Sequence, residues 1–223
     1  MLIQIENTVS KSYIQQLIRE GEHQKQDFKF AVNDARKIAR SLVAFANTDG
    51  GKLLIGVKDN GVIAGVRSEE EIHMIEAASQ LYSKPNVPYN VTEWNIGGKM
   101  VLEVDVEPGD QKPYYAPTEE KKWLVYLRVK DQNRLANKVI LKVWQKKRDK
   151  SGIYFTYSKN EKFLLNYLEQ HPAITFSKLC RLTKMRRFEA EELLANLIVL
   201  NVLEPDFSST KTIMYKLKVI QKE

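Results

Sequence analysis

The stretch from Asp34 to Val57 constrains the fold of this chain more than any other. Its first half repeats apolar residues along one face at helical spacing: Ile38, Leu42, Phe45 and Ala46. The repeat stops at Asn47–Gly51, where two glycines supply the left-handed backbone conformation that ends helices. Lys52–Val57 then has the apolar composition of a buried strand. A helix that leads within a few residues into a buried strand predicts a domain of mixed α and β structure.

Further strands and helices interleave through the first 150 residues. Strands are predicted at Asp27–Phe30, Tyr89–Ile96, Lys99–Glu107 and Trp123–Val129, and Asn60-Gly61 predicts a hairpin turn with a return strand at Val62–Val66. Helices are predicted after Ser10, after a capping box of Ser68 with Glu71, and over Asn133–Arg148. We therefore predict an α/β (α+β) fold, in which helices flank a mixed sheet.

The pattern changes near residue 150. Three helices are followed by two short strands, at Asn160–Gln170, Thr175–Thr183, Arg187–Leu200, Val202–Leu203 and Thr212–Leu217. This order is typical of a small winged-helix domain, although helical caps and dimerisation modules give the same pattern. We predict two domains, residues 1–150 and 151–223, joined by a linker at Asp149–Gly152.

The net charge of the chain indicates which kinds of binding partner it suits. The net charge is +7 and the isoelectric point is about 9.3, values that suit a partner rich in phosphate. Lys138–Lys150 holds six basic residues and one acidic residue, so it could follow a phosphate backbone or end a helix. There is one cysteine, Cys180, and no apolar run approaches the roughly 20 residues that span a membrane. These features predict a soluble cytoplasmic protein without a membrane partner.

Two segments carry a resemblance to a known family. GEHQKQDFKF (residues 21–30) and IARSLVAFANTDGGKLLIGVKDNGVIAGV (residues 38–66) resemble the Schlafen AlbA-type domain, also called the divergent AAA domain. The match at Ala44–Gly51 is the longest, and Lys112-Pro113-Tyr114 and Tyr126-x-Arg128 resemble later segments of the family. The resemblance runs from about Ser10 to Arg148 and leaves out the C-terminal module.

The resemblance implies two kinds of activity. Many bacterial members are regarded as transcriptional regulators or nucleic-acid-binding proteins, often with a winged helix. Some animal members are metal-dependent endoribonucleases with three carboxylates, which fall here on Glu22, Asp27 and Asp59. Carboxylates suit Mg²⁺ or Mn²⁺, which would activate a phosphodiester for cleavage. Asp27 stands where the family has Glu. The alternative is that Asp59 belongs to an ordinary turn and that Asp27 lies on a solvated strand face.

Candidate contacts to nucleic acid are spread over the chain. They are Lys29, Arg128, Lys146, Lys147, Arg148, Lys184, Arg186 and Arg187, with Lys211 available from the wing. The last three of the eight precede the third helix of the module, which enters the major groove in DNA-binding winged helices. Against this, the same helix continues with three acidic residues that would repel phosphates, Glu189, Glu191 and Glu192.

Three functions follow from these observations. The first is a DNA- or RNA-binding protein that regulates transcription or acts on RNA. The second is a metal-dependent endoribonuclease that cleaves structured RNA with Glu22, Asp27 and Asp59. The third is an oligomerisation module, with a homodimer as the hypothesis because animal Schlafens have two related lobes. No Gly-x-x-x-x-Gly-Lys-Ser/Thr sequence is present, so we expect no P-loop for ATP.

Overall fold

A computed structural model describes residues 12–66, 70–149, 157–209 and 212–219. The predicted caps at Ser10 and Ser68, the linker beyond Asp149 and the wing residue Lys211 lie outside these ranges. The chain divides into two compact units, residues 1–136 and 137–223, which we describe separately. In the described segments, no helix combines the length and the apolar character needed to cross a membrane.

The first unit alternates helices and strands, as predicted. Its elements are α1 (12–20), β1 (Gln26–Lys29), α2 (Ala35–Asn47), β2 (Gly51–Ile55), α3 (Glu70–Gln80), β3 (Asn90–Ile96), β4 (Lys99–Val106), β5 (Tyr115–Pro117), β6 (Trp123–Val129) and β7 (Gln132–Leu135). A four-stranded sheet has the order β1-β2-β4-β3, in which only β1 and β2 are parallel. A second sheet has the antiparallel order β5-β6-β7. The fold is therefore α+β with a mixed sheet.

Strand β2 is apolar on both faces because the sheet is covered on both sides. Leu53 and Ile55 are fully buried in the core that α2 and α3 complete. Leu54 lies in the opposite core, which Ile14 and Leu17 of α1 close. The alternation of neighbouring residues between two cores explains the continuous apolar run that the sequence shows at this strand.

Gly50 and Gly51 permit the tight passage from α2 into β2. Gly50 has a positive φ of 71°, and a Cβ atom there would lie 2.6 Å from the carbonyl oxygen of Val106. A Cβ atom on Gly51 would lie 2.5 Å from the ring of Phe45. Any larger residue would push the helix end away from the sheet, so this part of the Ala44–Gly51 segment is required by packing.

Two predictions for the first unit were wrong. Asn133–Ala136 is not helical: β7 pairs with β6, and the N–H of Ala136 donates to Val125 O, so strand pairing overrides the local helical pattern. The return strand at Val62–Val66 reduces to a single bridge between Val57 and Ile63, because the N–H of Val66 donates to Met100 O of β4 instead.

The described residues of the second unit form four helices and a small sheet. Its elements are α4 (Lys138–Arg148), α5 (Lys159–Gln170), β8 (Ile174–Thr175), α6 (Phe176–Thr183), α7 (Arg187–Val199), β9 (Leu203–Asp206) and β10 (Met214–Leu217). The sheet is antiparallel with the order β8-β10-β9. The order from α5 to β10 is the one expected of a winged helix, and the assignment to that class stays a prediction.

Helix α4 goes with the second unit, whereas the sequence placed it at the end of the first domain. Its Val139 and Val143 are buried in the same core as Leu164 of α5 and Leu194 of α7. Asn137 begins the helix, because its Oδ1 accepts from the N–H of Ile140 at 3.1 Å. The unit boundary therefore falls before α4, near residue 137.

Candidate functional site

Asp27, a predicted catalytic residue, lies in the interior of the first unit. It is 3% exposed, at the centre of β1. Its Oδ2 lies 2.8 Å from Lys29 Nζ and accepts from Ser41 Oγ at 3.1 Å. Its Oδ1 lies 3.4 Å from Arg128 Nη2. Both carboxylate oxygens are therefore engaged, and two cations offset the charge of Asp27.

Arg128, a predicted nucleic-acid contact, is buried beside Asp27. Its side chain is 1% exposed, and its Nη2 also donates to Gln26 O at 2.8 Å. Its Nε donates to His23 O at 3.3 Å and its Nη1 to Asn133 Oδ1 at 3.2 Å. The guanidinium thus holds β1 against β6 and β7, and its burial removes it from any surface that a phosphate reaches. This burial argues against the predicted contact of Arg128 with nucleic acid.

Glu22 and Asp27 form a hydrogen-bonded pair of carboxyl groups. Burial and the hydrogen bond with Asp27 raise the pKa of Glu22, and the N–H of Phe28 donates to its Oε1 at 2.9 Å. Burial works to raise the pKa of Asp27, but the hydrogen bond from Glu22 and the charges of Lys29 and Arg128 outweigh it and lower the pKa. The pKa values of the two carboxyl groups are therefore shifted in opposite directions.

The predicted metal trio is not assembled. Asp59 follows β2 in an exposed turn, and no hydrogen bond or ion pair found in the described ranges connects it with Glu22 or Asp27. Among the residues that the structure describes, no three acidic, histidine or cysteine side chains are placed to hold a metal ion. Asp27 already has two cationic partners and Asp59 does not lie with Glu22 and Asp27, so these three residues do not form a donor set for Mg²⁺ or Mn²⁺.

Asn47 joins the segments that carry the family resemblance. It is 3% exposed at the end of α2, and its Nδ2 donates to Tyr114 O at 2.8 Å and to Tyr126 O at 2.9 Å. Its Oδ1 accepts from the N–H of Tyr114 at 2.8 Å. Asn47 thus ties α2 to β5 and β6. The asparagine has a structural role, as the sequence favoured.

Sequence reasoning missed two polar partners in this interior network. Ser41 lies 1% exposed on α2 and receives a hydrogen bond from Asn133 Nδ2 at 2.9 Å while it donates to Asp27. Ser41 lies at helical spacing between Ile38 and Phe45 on the apolar face of α2, and that position is the local signal for a buried polar contact. Asn133 gave no such signal, because its segment was predicted to be helical.

In the second unit, the basic run of α4 serves two purposes. Lys142 and Lys146 both form ion pairs with Glu192 of α7, the latter at 2.8 Å. Lys147 and Arg148 are exposed in the last turn, and neither has an ion pair among the described residues. Lys146 thus helps to hold α4 against α7, whereas Lys147 and Arg148 remain accessible to a ligand.

The acidic residues of α7 are either buried or paired with basic side chains. Glu191 is 6% exposed, Glu192 has the two lysine partners, and Glu189 pairs with Arg186. The exposed residues at this end are Lys184, Arg186, Arg187 and Phe188, the last with 63% of its surface exposed. The repulsion that the sequence suggested against phosphates is therefore largely removed.

Only the second unit has a net positive charge. Residues 1–136 contain 18 Lys and Arg and 19 Asp and Glu, a net charge of −1. Residues 137–223 contain 17 Lys and Arg and nine Asp and Glu, a net charge of +8. The sequence boundary at residue 150 hides this separation, because it assigns the basic α4 to the first domain.

The first unit is thus an α+β domain whose family-like segments meet in one buried polar network. The family model for Schlafen, AlbA_2 matches residues 22–137, just over half of the chain, and the chain belongs to that family.

Two solved structures resemble parts of the chain. One is the DIP2311 protein from Corynebacterium diphtheriae, 23% identical over 58% of this chain and 28% of that one, with a TM-score of 0.41. The other is the N-terminal domain of an ATP-dependent DNA helicase RecG-related protein from Nitrosomonas europaea. It is 19% identical over 65% of this chain and 96% of that one, with a TM-score of 0.38. No curated protein matches the chain.

Proposed function

We propose that this protein binds nucleic acid through its second unit and acts as a regulator of transcription or of RNA by occupying its target. The observation that carries the proposal is the charge of +8 on residues 137–223, set beside −1 on the first unit. Membership of the AlbA-type family favours the same role, since the resemblance implies nucleic-acid binding. Nuclease activity is not part of the proposal, because Asp27 is engaged with Lys29, Ser41 and Arg128, and Asp59 does not lie with it.

Two sets of exposed cations are the proposed phosphate contacts. One is Lys147 and Arg148 at the end of α4, and the other is Lys184, Arg186 and Arg187 at the start of α7. The ion pairs of Glu192 and Glu189 leave little negative charge beside them. Lys29 and Arg186 are weaker candidates, because Lys29 is paired with Asp27 and Arg186 is paired with Glu189.

The first prediction concerns the salt dependence of binding. Phosphate contacts release counterions, so the logarithm of the association constant should fall linearly with the logarithm of salt concentration. Lys147→Gln with Arg148→Gln, and separately Lys184→Gln with Arg187→Gln, should each reduce the magnitude of that slope by about 1.4–1.8, or about 0.7–0.9 per lost contact. Fluorescence anisotropy with labelled single-stranded and duplex oligonucleotides measures the slope.

A matched control removes the same charge from the first unit. Lys25 and Lys37 are exposed lysines there, and Lys25→Gln with Lys37→Gln should leave the slope unchanged. An equal loss of slope in control and test variants would place the phosphate contacts outside the second unit. An absence of binding to any oligonucleotide at low salt would refute the proposal and leave the assembly role, with its homodimer, as the remaining prediction.

A further inference from the structure

Helix α5 presents three rings in a stack along one side. Phe163 and Tyr167 are four residues apart on the helix, and His171 follows directly after its last residue, so the three rings lie one above another. The ring centroids of Phe163 and Tyr167 are 6.2 Å apart, with an interplanar angle of 28°. Those of Tyr167 and His171 are 3.9 Å apart, with an angle of 6°. We call these three residues the α5 ring stack.

The two ends of the α5 ring stack are open to solvent, and the middle is anchored. Tyr167 is half-buried against the core of the second unit, whereas Phe163 is 37% exposed and His171 is exposed. His171 Nδ1 lies 2.9 Å from Tyr167 O, a hydrogen bond that fixes the imidazole plane parallel to the tyrosine. The rings are therefore held in place before any ligand arrives, which lowers the entropy cost of binding to them.

Cations flank the α5 ring stack. Lys178 of α6 places Nζ 5.1 Å from the centroid of Tyr167. Lys159 lies one helical turn before Phe163 and is exposed, and Lys162 is exposed in the adjacent position. An exposed ring face with ammonium groups beside it complements a ligand that has flat aromatic groups and negative charge within a few ångströms of each other.

We propose that the α5 ring stack binds unpaired bases of a single-stranded nucleic acid, with Phe163 and His171 as the stacking surfaces and Lys159, Lys162 and Lys178 beside the phosphates. This inference rests on the proposed function and adds its substrate class. In a duplex, the faces of the bases are already stacked, so an exposed ring on a helix surface gains contact only with unpaired bases. The contribution of base stacking to the binding free energy is independent of salt concentration, whereas the contribution of phosphate contacts decreases as salt concentration rises.

Salt dependence separates the two contributions. The test uses the full-length protein, a labelled 12-nucleotide single strand and the duplex of the same sequence, with affinity measured from 50 to 500 mM NaCl. Phe163→Leu keeps apolar bulk and removes the ring, and it should weaken single-strand binding about 5- to 150-fold at every salt concentration. The log–log slope should stay unchanged, and duplex binding should change less than twofold. His171→Gln tests the other end of the stack in the same way.

Phe30→Leu is the matched control, because Phe30 is an exposed ring with Lys58 Nζ 5.3 Å from its centroid in the first unit. It should leave single-strand affinity unchanged. If the Phe163 and His171 variants, folded by circular dichroism, bind single strands like the wild type, the ring-stack inference is wrong while salt-dependent binding keeps the proposed function. Equal weakening of single-strand and duplex binding would likewise overturn it. Absence of all nucleic-acid binding would refute both.

Discussion

Asp27 shows how a residue that looks catalytic in the sequence can be needed for the fold. Lys29 and Arg128 approach its two oxygens, and Arg128 is almost fully buried. A buried cation without its counterion costs several kcal/mol, so Asp27 must be ionised for the first unit to remain stable. Burial works to raise the pKa of Asp27, but the hydrogen bond with Glu22 and the charges of Lys29 and Arg128 lower it, because they favour the charged form.

Asp27→Asn should therefore lower the free energy of unfolding by about 3–5 kcal/mol at neutral pH. Because the pKa of Asp27 is lower in the folded than in the unfolded state, its stabilisation is present above the unfolded pKa of about 3.9. That stabilisation is lost as the pH falls through the folded value, so the difference between variant and wild type should shrink at low pH. Urea titrations at several pH values measure it.

Asp59→Asn is the control, since it makes the same change at an exposed turn and should alter stability by no more than about 0.5 kcal/mol. Similar effects at the two positions would contradict a structural role for Asp27.

At the scale of elements, α4 and α7 are held together by one acidic residue with two basic partners. Glu192 pairs with Lys142 and Lys146, and Lys142 Nζ also lies 4.2 Å from the centroid of Phe188. The same contact neutralises a carboxylate near the proposed phosphate contacts and orders the helix that carries Lys147 and Arg148. One ion-pair cluster thus serves both the packing of the second unit and its electrostatics.

Glu192→Gln should have opposite effects on stability and on binding. Loss of the partly buried pairs should lower the free energy of unfolding by about 1 kcal/mol. Release of two lysines should increase affinity for nucleic acid and steepen its salt dependence. Glu169→Gln changes an exposed residue of α5 for which no ion pair is found in the described ranges, so it corrects for the change in net charge. If Glu192→Gln binds nucleic acid more weakly than Glu169→Gln does, the ion pairs of Glu192 with Lys142 and Lys146 do not oppose phosphate contact.

For the whole molecule, the position of the unit boundary determines which part carries the positive charge. A boundary before α4 gives residues 137–223 a charge of +8 and a core that includes Val139 and Val143. A fragment that starts at Tyr154, after the predicted linker, loses both valines and all the cations of α4. Stability and nucleic-acid affinity should therefore depend on the same seventeen residues.

A fragment of residues 137–223 should fold and keep most of the affinity of the full chain. A fragment of residues 154–223 should be less stable by at least about 3 kcal/mol, since burial of a valine contributes about 1.5 kcal/mol or more, and should bind more weakly. Thermal unfolding by circular dichroism and anisotropy measure the two effects, and residues 1–136 serve as the control that should not bind. Two fragments of equal stability would contradict the assignment of α4 to the second unit.

Features that depend on residues close together along the chain could be predicted from the sequence. The end of α2 at Asn47, the following Gly50-Gly51, the strand Trp123–Val129 and the three helices and two strands α5, α6, α7, β9 and β10 were predicted, whereas the short strand β8 was not. Capping, glycine conformations and apolar periodicity are local properties, so a single sequence contains them. The family followed from the same local segments, and the family match at residues 22–137 bears it out.

Features that depend on contacts between residues far apart in the sequence could be seen only in the folded structure. Residues 133–135, which were predicted to be helical, belong to strand β7 because β6 offers hydrogen-bond partners. Arg128 and Asp27, 101 positions apart, became a buried pair, so that two candidate site residues hold the fold. The basic helix α4 joined the second unit because Val139 and Val143 pack with its core. A local sequence pattern can be compatible with more than one structure, and packing between distant residues selects one of them. In this protein, the packing of α4 also determines which unit has the net positive charge.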